Sequence, residues 1–370
     1  MQFQRGRNDR GGYPKLARRW PDLDTDGSVY ISGYGFIHLD PLELERHELK
    51  RSASIAGGVM LMLLLLPPIL LIPAQLIVRS IAHWLLANSE QNFSVWNAIL
   101  GQLRTDLWVY PTLLITMIFL IGTGGRDIRQ HSNTAFRPGT AFLAIGVCLG
   151  LSGIVRISGS WLESICRFFG LAERTASDIP SLPAAQLIYL FRTALIGVIL
   201  EEFILRGLLL KIFRKHGDAF ALMMTSIVSG LIAGSLGGGL GAFVMALMYG
   251  YITLRTGSTA VAILCHILCA LWPNLLAIFC PDSTLAATGV CTALILIGIV
   301  SFSVLCTRDY NAFILSGQSL DYARLSGQKA PPKSRLTFKG KLAAAMTSAF
   351  FSASAALWLI RIVRGLTILS

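Results

Sequence analysis

The chain of 370 residues is 54% hydrophobic and only 14% charged, and its mean hydropathy is +0.61. Because roughly a quarter of the residues in an ordinary soluble domain are charged, this composition indicates a membrane protein. The first 51 residues are polar and the apolar runs recur to the end, so neither a cleavable signal peptide nor a single anchor explains them. The net charge of +12 lies mostly in segments that connect apolar runs, and we expect no nucleic-acid partner.

Apolar segments long enough to cross a bilayer, which requires about 20 residues, recur along the chain. The charge-free stretch 219–254 is too long for one crossing, and its glycine-rich middle, residues 234–241, predicts a turn between two short spans. Residues 184–213 have an apolar helical pattern but also contain Arg192, Glu201, Glu202 and Arg206. We count this segment as a span. The sequence predicts an all-α, polytopic protein of about nine transmembrane helices: 52–78, 107–125, 138–155, 184–213, two within 219–254, 258–280, 283–307 and 342–360.

The distribution of Lys and Arg predicts the orientation. With the N-terminus in the cytosol, the predicted inside segments hold 23 Lys and Arg and the outside segments hold 7. We expect a cytosolic tail, 1–51, with a short amphipathic helix that begins at Pro41, and a basic cytosolic loop, 308–341, attracted to anionic membrane lipids. The predicted organisation is this tail, N-terminal transmembrane helices over 52–180, a core over 181–280, and C-terminal transmembrane helices over 281–370.

Ionisable residues within a span are costly unless they are paired or face a polar cavity, so a cluster of them predicts a functional site. Glu202 and Arg206 are four residues apart, the spacing at which helical side chains meet, and this leaves Glu201 as a candidate general base. The alternative is structural: both carboxylates would tie neighbouring helices together through Arg206 and Arg192. We favour the structural interpretation for Glu202 and Arg206, and chemistry for Glu201.

His266 is the one histidine inside a predicted span. A single histidine is more often a packed, hydrogen-bonded group than a ligand. Its depth argues otherwise, because Glu201 and His266 both lie roughly 12 to 17 Å from the cytosolic ends of their helices at about 1.5 Å per residue. We expect the two side chains to share one plane in the cytosolic half of the membrane, where a carboxylate and an imidazole could activate water or bind a metal.

The sequence from Glu201 to Gly207, the segment 246–258 that ends in Leu-Arg-Thr-Gly-Ser, and His266 resemble the CPBP family of intramembrane metalloproteases, which includes CAAX prenyl endopeptidases and bacteriocin-processing or immunity proteins. The resemblance implies a buried CPBP-type helical core at about 182–277. It also implies that Glu201 activates water, that Glu202 and Arg206 support it, and that Glu201 and His266 are ligands of a zinc ion, the one cofactor expected.

The chain departs from the family pattern at two polar positions. A second motif, Phe-x-x-x-His, aligns with Ser229 and Ala233, and a third, His-x-x-x-Asn, begins at His266 but has Ala270 in place of Asn. Two ligands are fewer than the three that a catalytic zinc site normally has. Substitutes are available in principle: Cys269, the first candidate for an additional metal ligand, then Cys265, Asn274 and, with a bent helix, His216.

Two functions therefore remain open. The first is a CPBP-type metalloendopeptidase with a degenerate site, which cuts a lipidated or membrane-embedded peptide near the cytosolic leaflet. The second is an inactive relative that acts as a membrane binding, immunity or scaffold protein. A transporter would also explain charges within a span, but no paired, interrupted inverted repeats are visible. The predicted location is a bacterial plasma membrane.

Overall fold

The structure is a computed structural model that describes residues 28–31, 35–38, 41–87, 93–124, 138–173, 179–281, 283–308 and 335–368. Most of the predicted tail 1–51 and of the predicted loop 308–341 lies outside these residues. The described part is dominated by helices and also contains two short two-stranded antiparallel sheets. Their strands are β1, Ser28–Ile31, with β2, Gly35–His38, and β3, Leu171–Glu173, with β4, Leu366–Ile368.

The structure describes eleven helices. Helix α5 covers residues 183–214 and alternates between α-helical segments (Pro183–Leu190, Gly197–Glu202 and Leu210–Arg214) and π-helical segments (Phe191–Ile196 and Phe203–Leu209). The other helices are α1, Pro41–Ala87; α2, Phe93–Asp106; α3, Val109–Gly124; α4, Pro138–Phe168; α6, Asp218–Ile232; α7, Leu236–Thr256; α8, Thr259–Phe279; α9, Thr284–Arg308; α10, Phe338–Met346; and α11, Ala349–Arg364.

The all-α polytopic prediction is confirmed, whereas the count of nine spans is not. Within the described ranges, six helical segments are long and apolar enough to cross a membrane, and α10 with α11 would make a seventh if that bent pair is one span. The six are α1, α2 with α3, α4, α7, α8 and α9. Helix α6 has only 15 residues, and α5 is divided into α-helical and π-helical segments of at most eight residues each.

Several helix ends differ from the hydropathy-based boundaries. Pro41 is the first residue of α1, as predicted, but the expected short cytosolic helix continues without a break into the span, and α1 runs for 47 residues. Helix α4 continues past residue 155 to Phe168. The predicted span 342–360 is divided between α10 and α11, which meet at 76°. The Ser348 hydroxyl at this bend lies 2.9 Å from that of Ser54 on α1, which attaches the bend to a neighbouring helix.

The predicted turn between two short spans lies at the start of the glycine-rich stretch and does not extend through it. Helix α6 ends at Ile232, Gly234 adopts a left-handed backbone conformation with φ +72°, and α7 begins at Leu236. The following glycines are helical because the turn's N–H groups have acceptors: the Glu173 carboxylate accepts from Leu236 N–H, and the Ser235 hydroxyl accepts from Gly238 N–H.

The bundle has two ends, which we name by their contents. At the tail end, the start of α1 meets the loop after α5 and helix α10: Ser52 Oγ lies 3.1 Å from His216 Nε2, and Lys341 Nζ donates to the His216 carbonyl. At the turn end, β3 pairs with β4, and Glu173 contacts the start of α7. Two apolar cores lie between these ends, one of α1, α3, α5, α6, the end of α7, α10 and α11, the other of α4, α7 and α8.

Candidate active site

A cavity of about 340 Å³ lies between the helices and brings several predicted site residues together. Glu201 and Arg206 of α5, Tyr249 of α7 and His266 of α8 form its inner part. Residues near the helix ends that face the turn end form its outer part, including Trp108, Arg192, Ala233 and Arg361. The cavity therefore extends from the middle of the bundle to the turn end. In the predicted orientation, this is the end away from the cytosol.

Glu202 lies at the centre of the polar contacts in the inner part. Its side chain is completely buried, and Oε1 accepts from Arg206 Nη1 at 2.8 Å and from His266 Nδ1 at 2.7 Å. The Arg206 guanidinium also lies over the Tyr249 ring, 5.5 Å from its centroid, and the imidazole of His266 stacks on the same ring at 4.8 Å. These contacts fix the two cationic or basic groups against one carboxylate and one aromatic ring.

The bond to Glu202 determines the protonation pattern of His266. A carboxylate only accepts hydrogen bonds, so the shared proton lies on Nδ1 and Nε2 is left with a lone pair in the neutral ring. Nε2 makes no hydrogen bond within the described residues, and the side chain is 25% exposed. His266 can therefore accept a hydrogen bond from water or a ligand in the cavity.

Glu201 lines the cavity, whereas the oxygens of Glu202 are directed to Arg206 and His266. Within the described part of the chain, Glu201 forms no ion pair. The carboxylate on the cavity wall is thus the one that sequence reasoning selects as a base. Glu202 and Arg206 form the pair that their spacing predicts, even though a π-helical segment begins between them at Phe203.

Arg192 pairs with a residue that sequence reasoning did not consider. Its Nε lies 2.8 Å from Oδ1 of Asp106, the buried last residue of α2. The structural alternative would have Arg192 pair with Glu201 or Glu202. Among the described residues, Arg192 instead forms its ion pair with Asp106. The contact joins α2 to α5 near the turn end and accounts for two of the charges within the apolar bundle.

The two family positions that carry alanine differ in location. Ser229 and Ala233 line the cavity, and Ala233 is exposed, so a larger side chain has room there. Ala270 is absent from the lining, and its carbonyl accepts from Asn274 Nδ2 at 2.8 Å. Asn274 also accepts from the Tyr189 hydroxyl, and it is not a cavity residue either.

The other proposed substitutes do not reach the cavity. Cys269 is buried and does not line the cavity. Cys265 is buried and is not a lining residue. His216 lies at the tail end, bonded to Ser52.

The donor set does not fit a zinc ion. Over the described ranges, no group of three or more His, Cys, Asp or Glu side chains is arranged to hold a metal. Glu201 and His266 line the cavity, but the third candidate oxygen, Oε2 of Glu202, is buried away from the lining and has no hydrogen-bond partner among the described residues. A catalytic zinc needs three protein ligands, so we derive no step through one.

Sequence reasoning missed Tyr249, Asp106, Trp358 and Arg361 as parts of this site. Tyr249 lies inside the 246–258 segment that carries the family resemblance, so its position was the available signal. The other three lie on α2 and α11, far along the chain from that segment, and no local pattern connects them with it.

Comparison with known proteins agrees with this geometry. A family model described as type II CAAX prenyl endopeptidase Rce1-like matches residues 183–272, which include α5 to most of α8 and hold Glu201, Glu202, Arg206 and His266. No curated protein and no solved structure matches the chain significantly. The match is confined to residues 183–272, and over that segment it supports membership of the CPBP family of CAAX-protease-type membrane proteins.

Proposed function

We propose that this protein binds the end of a lipidated or membrane-embedded peptide in the central cavity, and that it is a CPBP-type endopeptidase with a degenerate site. The observation that carries the proposal is that Glu201 and His266 line the same cavity as Ala233. The cavity thus retains the family's carboxylate and its imidazole, and it has alanine at the position where the resemblance implies histidine.

The retained residues support a simple hydrolytic step. Glu201 would take a proton from a water molecule while the water oxygen attacks the scissile carbonyl. His266 Nε2 would accept a hydrogen bond from the second O–H of that water and so orient it. When the tetrahedral intermediate collapses, the C–N bond breaks and the proton on Glu201 passes to the leaving amine. Glu202 and Arg206 would position His266 through their hydrogen bonds.

The same cavity lacks the two donors that the family pattern would supply for the negative charge on the carbonyl oxygen. Ala233 supplies no hydrogen bond, and Ala270 is outside the lining. Loss of one such donor typically lowers kcat by about 10² to 10³. We therefore expect peptide binding with slow hydrolysis.

The second candidate, an inactive relative with a binding, immunity or scaffold role, is favoured by the absence of a three-ligand metal group from the described residues. It differs from the first in one measurable respect. In an inactive relative, restoring a donor would leave hydrolysis at zero, whereas a degenerate enzyme would gain rate.

The test compares two histidine substitutions on the cavity wall. Purified protein is incubated with a farnesylated CAAX-type peptide, and cleavage and bound zinc are followed by mass spectrometry and elemental analysis. Ala233→His should raise the cleavage rate by about 10-fold or more, since it adds a donor at the family position. Ala242→His is the matched control, because Ala242 also lines the cavity but does not occupy a family position.

Two results would contradict the proposal. Rapid metal-dependent cleavage by the unmodified protein that is lost in Glu201→Gln would show a complete enzyme. No cleavage by any variant, together with unchanged peptide binding, would favour the inactive relative.

A further inference from the structure

The cavity contains a hydroxyl group that the hydrolytic step does not use. We propose that the same cavity is also a serine-dependent acyl-transfer site, in which Ser229 of α6 is the nucleophile, His266 is its base and Glu202 orients the imidazole. The substrate class is a carboxylic ester with a single acyl chain. This activity goes beyond the proposed peptide hydrolysis, because it forms a covalent acyl-serine and does not use Glu201 as the base.

The imidazole of His266 is oriented as the base of a nucleophile would be. Nδ1 donates to the completely buried carboxylate of Glu202 at 2.7 Å, which leaves the lone pair of Nε2 free to take a proton. A buried carboxylate that holds Nδ1–H fixes the tautomer and stabilises the imidazolium that forms during proton transfer. The ring of Tyr249 stacks on the imidazole at 4.8 Å and restrains it further. The base and its orienting carboxylate are therefore in place, and a nucleophile would complete the arrangement.

The described lining of the cavity offers three hydroxyl groups, those of Thr112, Ser229 and Tyr249. Thr112 donates to the carbonyl one turn before it at 2.8 Å, and Tyr249 is almost fully buried beneath the imidazole. The hydroxyl of Ser229 has no hydrogen-bond partner in the part of the chain that the structure describes. Thr225, one turn earlier on α6, shows the usual alternative, because it donates to a backbone carbonyl at 2.9 Å. Ser229 is therefore the lining hydroxyl that is available to react.

Ser229 lies on the cavity face of α6, at a depth comparable with that of His266. Ser229, Ile232 and Ala233 are three and four residues apart, and all three line the cavity. Helix α6 begins beside His216 at the tail end, and α8 begins where α7 returns from the turn end. At about 1.5 Å per residue, Ser229 lies roughly 16 Å along α6 and His266 roughly 10 Å along α8. The two groups are not hydrogen-bonded to each other in the structure, and contacts between a nucleophile and its base often tighten only when substrate binds.

The size and lining of the cavity favour an ester of one acyl chain. At about 340 Å³, the cavity lies near the lower limit of ligand sites, roughly 300 to 1,000 Å³, and a phospholipid with two acyl chains would not be enclosed. Leu63 of α1 and Val109 and Leu113 of α3 give the lining an apolar wall that an acyl chain can contact. The ester carbonyl would then lie among the polar groups of the inner part.

Ser229 is a feature of this chain and not of the family pattern. The second family motif has phenylalanine at the position of Ser229 and histidine at that of Ala233. Both side chains of this chain are smaller than those of the motif and leave space in the cavity, and Ser229 adds a hydroxyl that phenylalanine lacks.

The reaction transfers the acyl group in two balanced steps. His266 Nε2 takes the hydroxyl proton while Ser229 Oγ bonds to the ester carbonyl carbon, and the tetrahedral intermediate then collapses. The ester C–O bond breaks, and the proton passes from Nε2 to the leaving alcohol. Water next attacks the acyl-serine with His266 again as the base, which releases the carboxylic acid and restores Ser229. Arg192 and Arg206 line the same cavity and add positive potential where the carbonyl oxygen becomes negative.

The experiment traps the nucleophile on the full chain in detergent micelles. With an alkyl fluorophosphonate, Ser229 Oγ bonds to phosphorus, the P–F bond breaks and fluoride leaves, and mass spectrometry of the digested protein locates the adduct. We expect the adduct on Ser229 in the folded protein and none after heat denaturation. Ser229→Ala should abolish it, and His266→Gln should slow its formation by about 100-fold or more, as expected for loss of a general base. Hydrolysis of 4-nitrophenyl octanoate should fall in the same two variants.

Ser226→Ala is the matched control. Ser226 lies on the same helix just before Ser229, is completely buried, and is absent from the cavity lining. Its hydroxyl also has no hydrogen-bond partner among the described residues, so the variant removes an equally unbonded group from α6. Adduct formation and ester hydrolysis should be unchanged in Ser226→Ala. Equal losses in the two alanine variants would attribute the effect to the packing of α6 and overturn the proposal.

The possible failures are distinguishable. An adduct on another residue, or no adduct at all, would overturn the serine nucleophile, and this result requires no variant to fold. Labelling of His266→Gln at the unmodified rate would show a merely accessible hydroxyl and overturn the assigned base. If Ser229 forms no adduct while the farnesylated peptide is still cleaved, the acyl-transfer site fails and the proposed function stands. An adduct on Ser229 in a protein that binds no farnesylated peptide would support the acyl-transfer site and overturn the proposed function.

Discussion

Adjacent carboxylates on α5 have separate tasks in this structure. Glu202 is buried against Arg206 and His266, and Glu201 faces the cavity. Removing one partner from a buried ion pair is far more costly than losing an exposed charge, because the remaining charge has no solvent to compensate it. Glu202 therefore contributes to stability, and the proposed chemistry belongs to its neighbour Glu201.

Glu202→Gln should destabilise the protein more than Glu201→Gln. The amide leaves the Arg206 charge without its counter-ion and weakens the hydrogen bond to His266, so we expect a loss of about 3 kcal/mol. Glu201→Gln is the matched control and should change stability little. The measurement is the fraction of folded monomer that survives heating in detergent, followed by size-exclusion chromatography. Equal losses in the two variants would contradict the assignment.

At this scale, sequence reasoning predicted the local contact and missed the distant ones. Glu202 and Arg206 are four residues apart on one helix, so their contact follows from helical spacing alone. The bond from His266 to Glu202 joins residues 64 positions apart, and the pairing of Arg192 with Asp106 joins α5 to α2. Such contacts depend on which helices are neighbours, and hydropathy does not determine that.

Among the elements, α4 and α9 pack unusually closely through glycines. A Cβ on Gly150 would lie 2.5 Å from the Cα of Gly298, and a Cβ on Gly298 would lie 2.6 Å from the Cα of Gly150. Small residues allow backbones to approach in membranes, where no hydrophobic effect drives helices together. The α4–α9 contact is therefore a packing interface that larger side chains would disrupt.

Gly298→Ala should separate α9 from α4. The new methyl group would meet backbone atoms that cannot rotate away, so we expect a destabilisation of roughly 1 to 3 kcal/mol. Gly289→Ala, on the same helix with nothing within 4 Å of the added Cβ, should be neutral or stabilising. Thermal midpoints in detergent would measure both, and a shift of equal size in the two variants would count against close packing as the cause.

The centres of the helices were predictable, whereas several of their ends were not. Apolar runs identified α3, α8 and α9 closely, because burial in a membrane requires continuous hydrophobicity. The bend between α10 and α11 depends on Ser348 meeting Ser54, almost three hundred residues earlier in the chain. The start of α7 depends on Glu173 in β3, which caps it from another part of the chain.

Over the whole molecule, segments that are distant in sequence meet at each end of the bundle. The tail end joins Glu45, Ser52, His216 and the segment 335–341: Glu45 accepts from the N–H groups of Arg335 and Leu336, and Lys341 reaches the carbonyl of His216. The charge asymmetry assigns all of these segments to the cytosol. Their contact with one another supports a common side for them, because segments on one side of a membrane can meet and segments on opposite sides cannot.

The tail end should make stability depend on pH. Burial, with Lys215 and Lys341 nearby, lowers the pKa of His216 to about 3, from the ordinary value of 6.5. The unfolded chain therefore binds a proton that the folded chain does not, so stability is complete above about pH 6.5 and decreases as the pH falls towards 3. Between pH 7 and pH 4.5 the loss should be about 2 to 3 kcal/mol.

Denaturant or thermal unfolding at a series of pH values would measure this dependence. The matched variant is His216→Gln, which keeps a hydrogen-bonding side chain next to Ser52 but cannot titrate. Its unfolding curve should shift less between pH 7 and pH 4.5. An identical pH dependence in the two proteins would assign the effect to other groups.

The orientation itself can be tested with reporters fused after residue 327 and after residue 368. A fluorescent protein should be active after residue 327 and inactive after residue 368, and alkaline phosphatase should show the reverse. This result would place the turn end, and with it the outer part of the cavity, on the non-cytosolic side. The reversed pattern would place the outer part of the cavity on the cytosolic side.

The hydrogen bond from Trp358 to the carbonyl of Met60 spans 298 residues. A ribosome that adds about 5 to 20 residues per second needs roughly 15 to 60 s to produce the second partner after the first. During that interval α1 lies in the membrane without α11, and the outer part of the cavity lacks both Trp358 and Arg361. The outer part of the cavity is therefore complete only after α11 has been made, and until then α1 packs against the insertion machinery, lipids or other proteins. Variants that slow the insertion of α11 should consequently reduce the amount of protein through quality control, without changing the chemistry of the chains that mature.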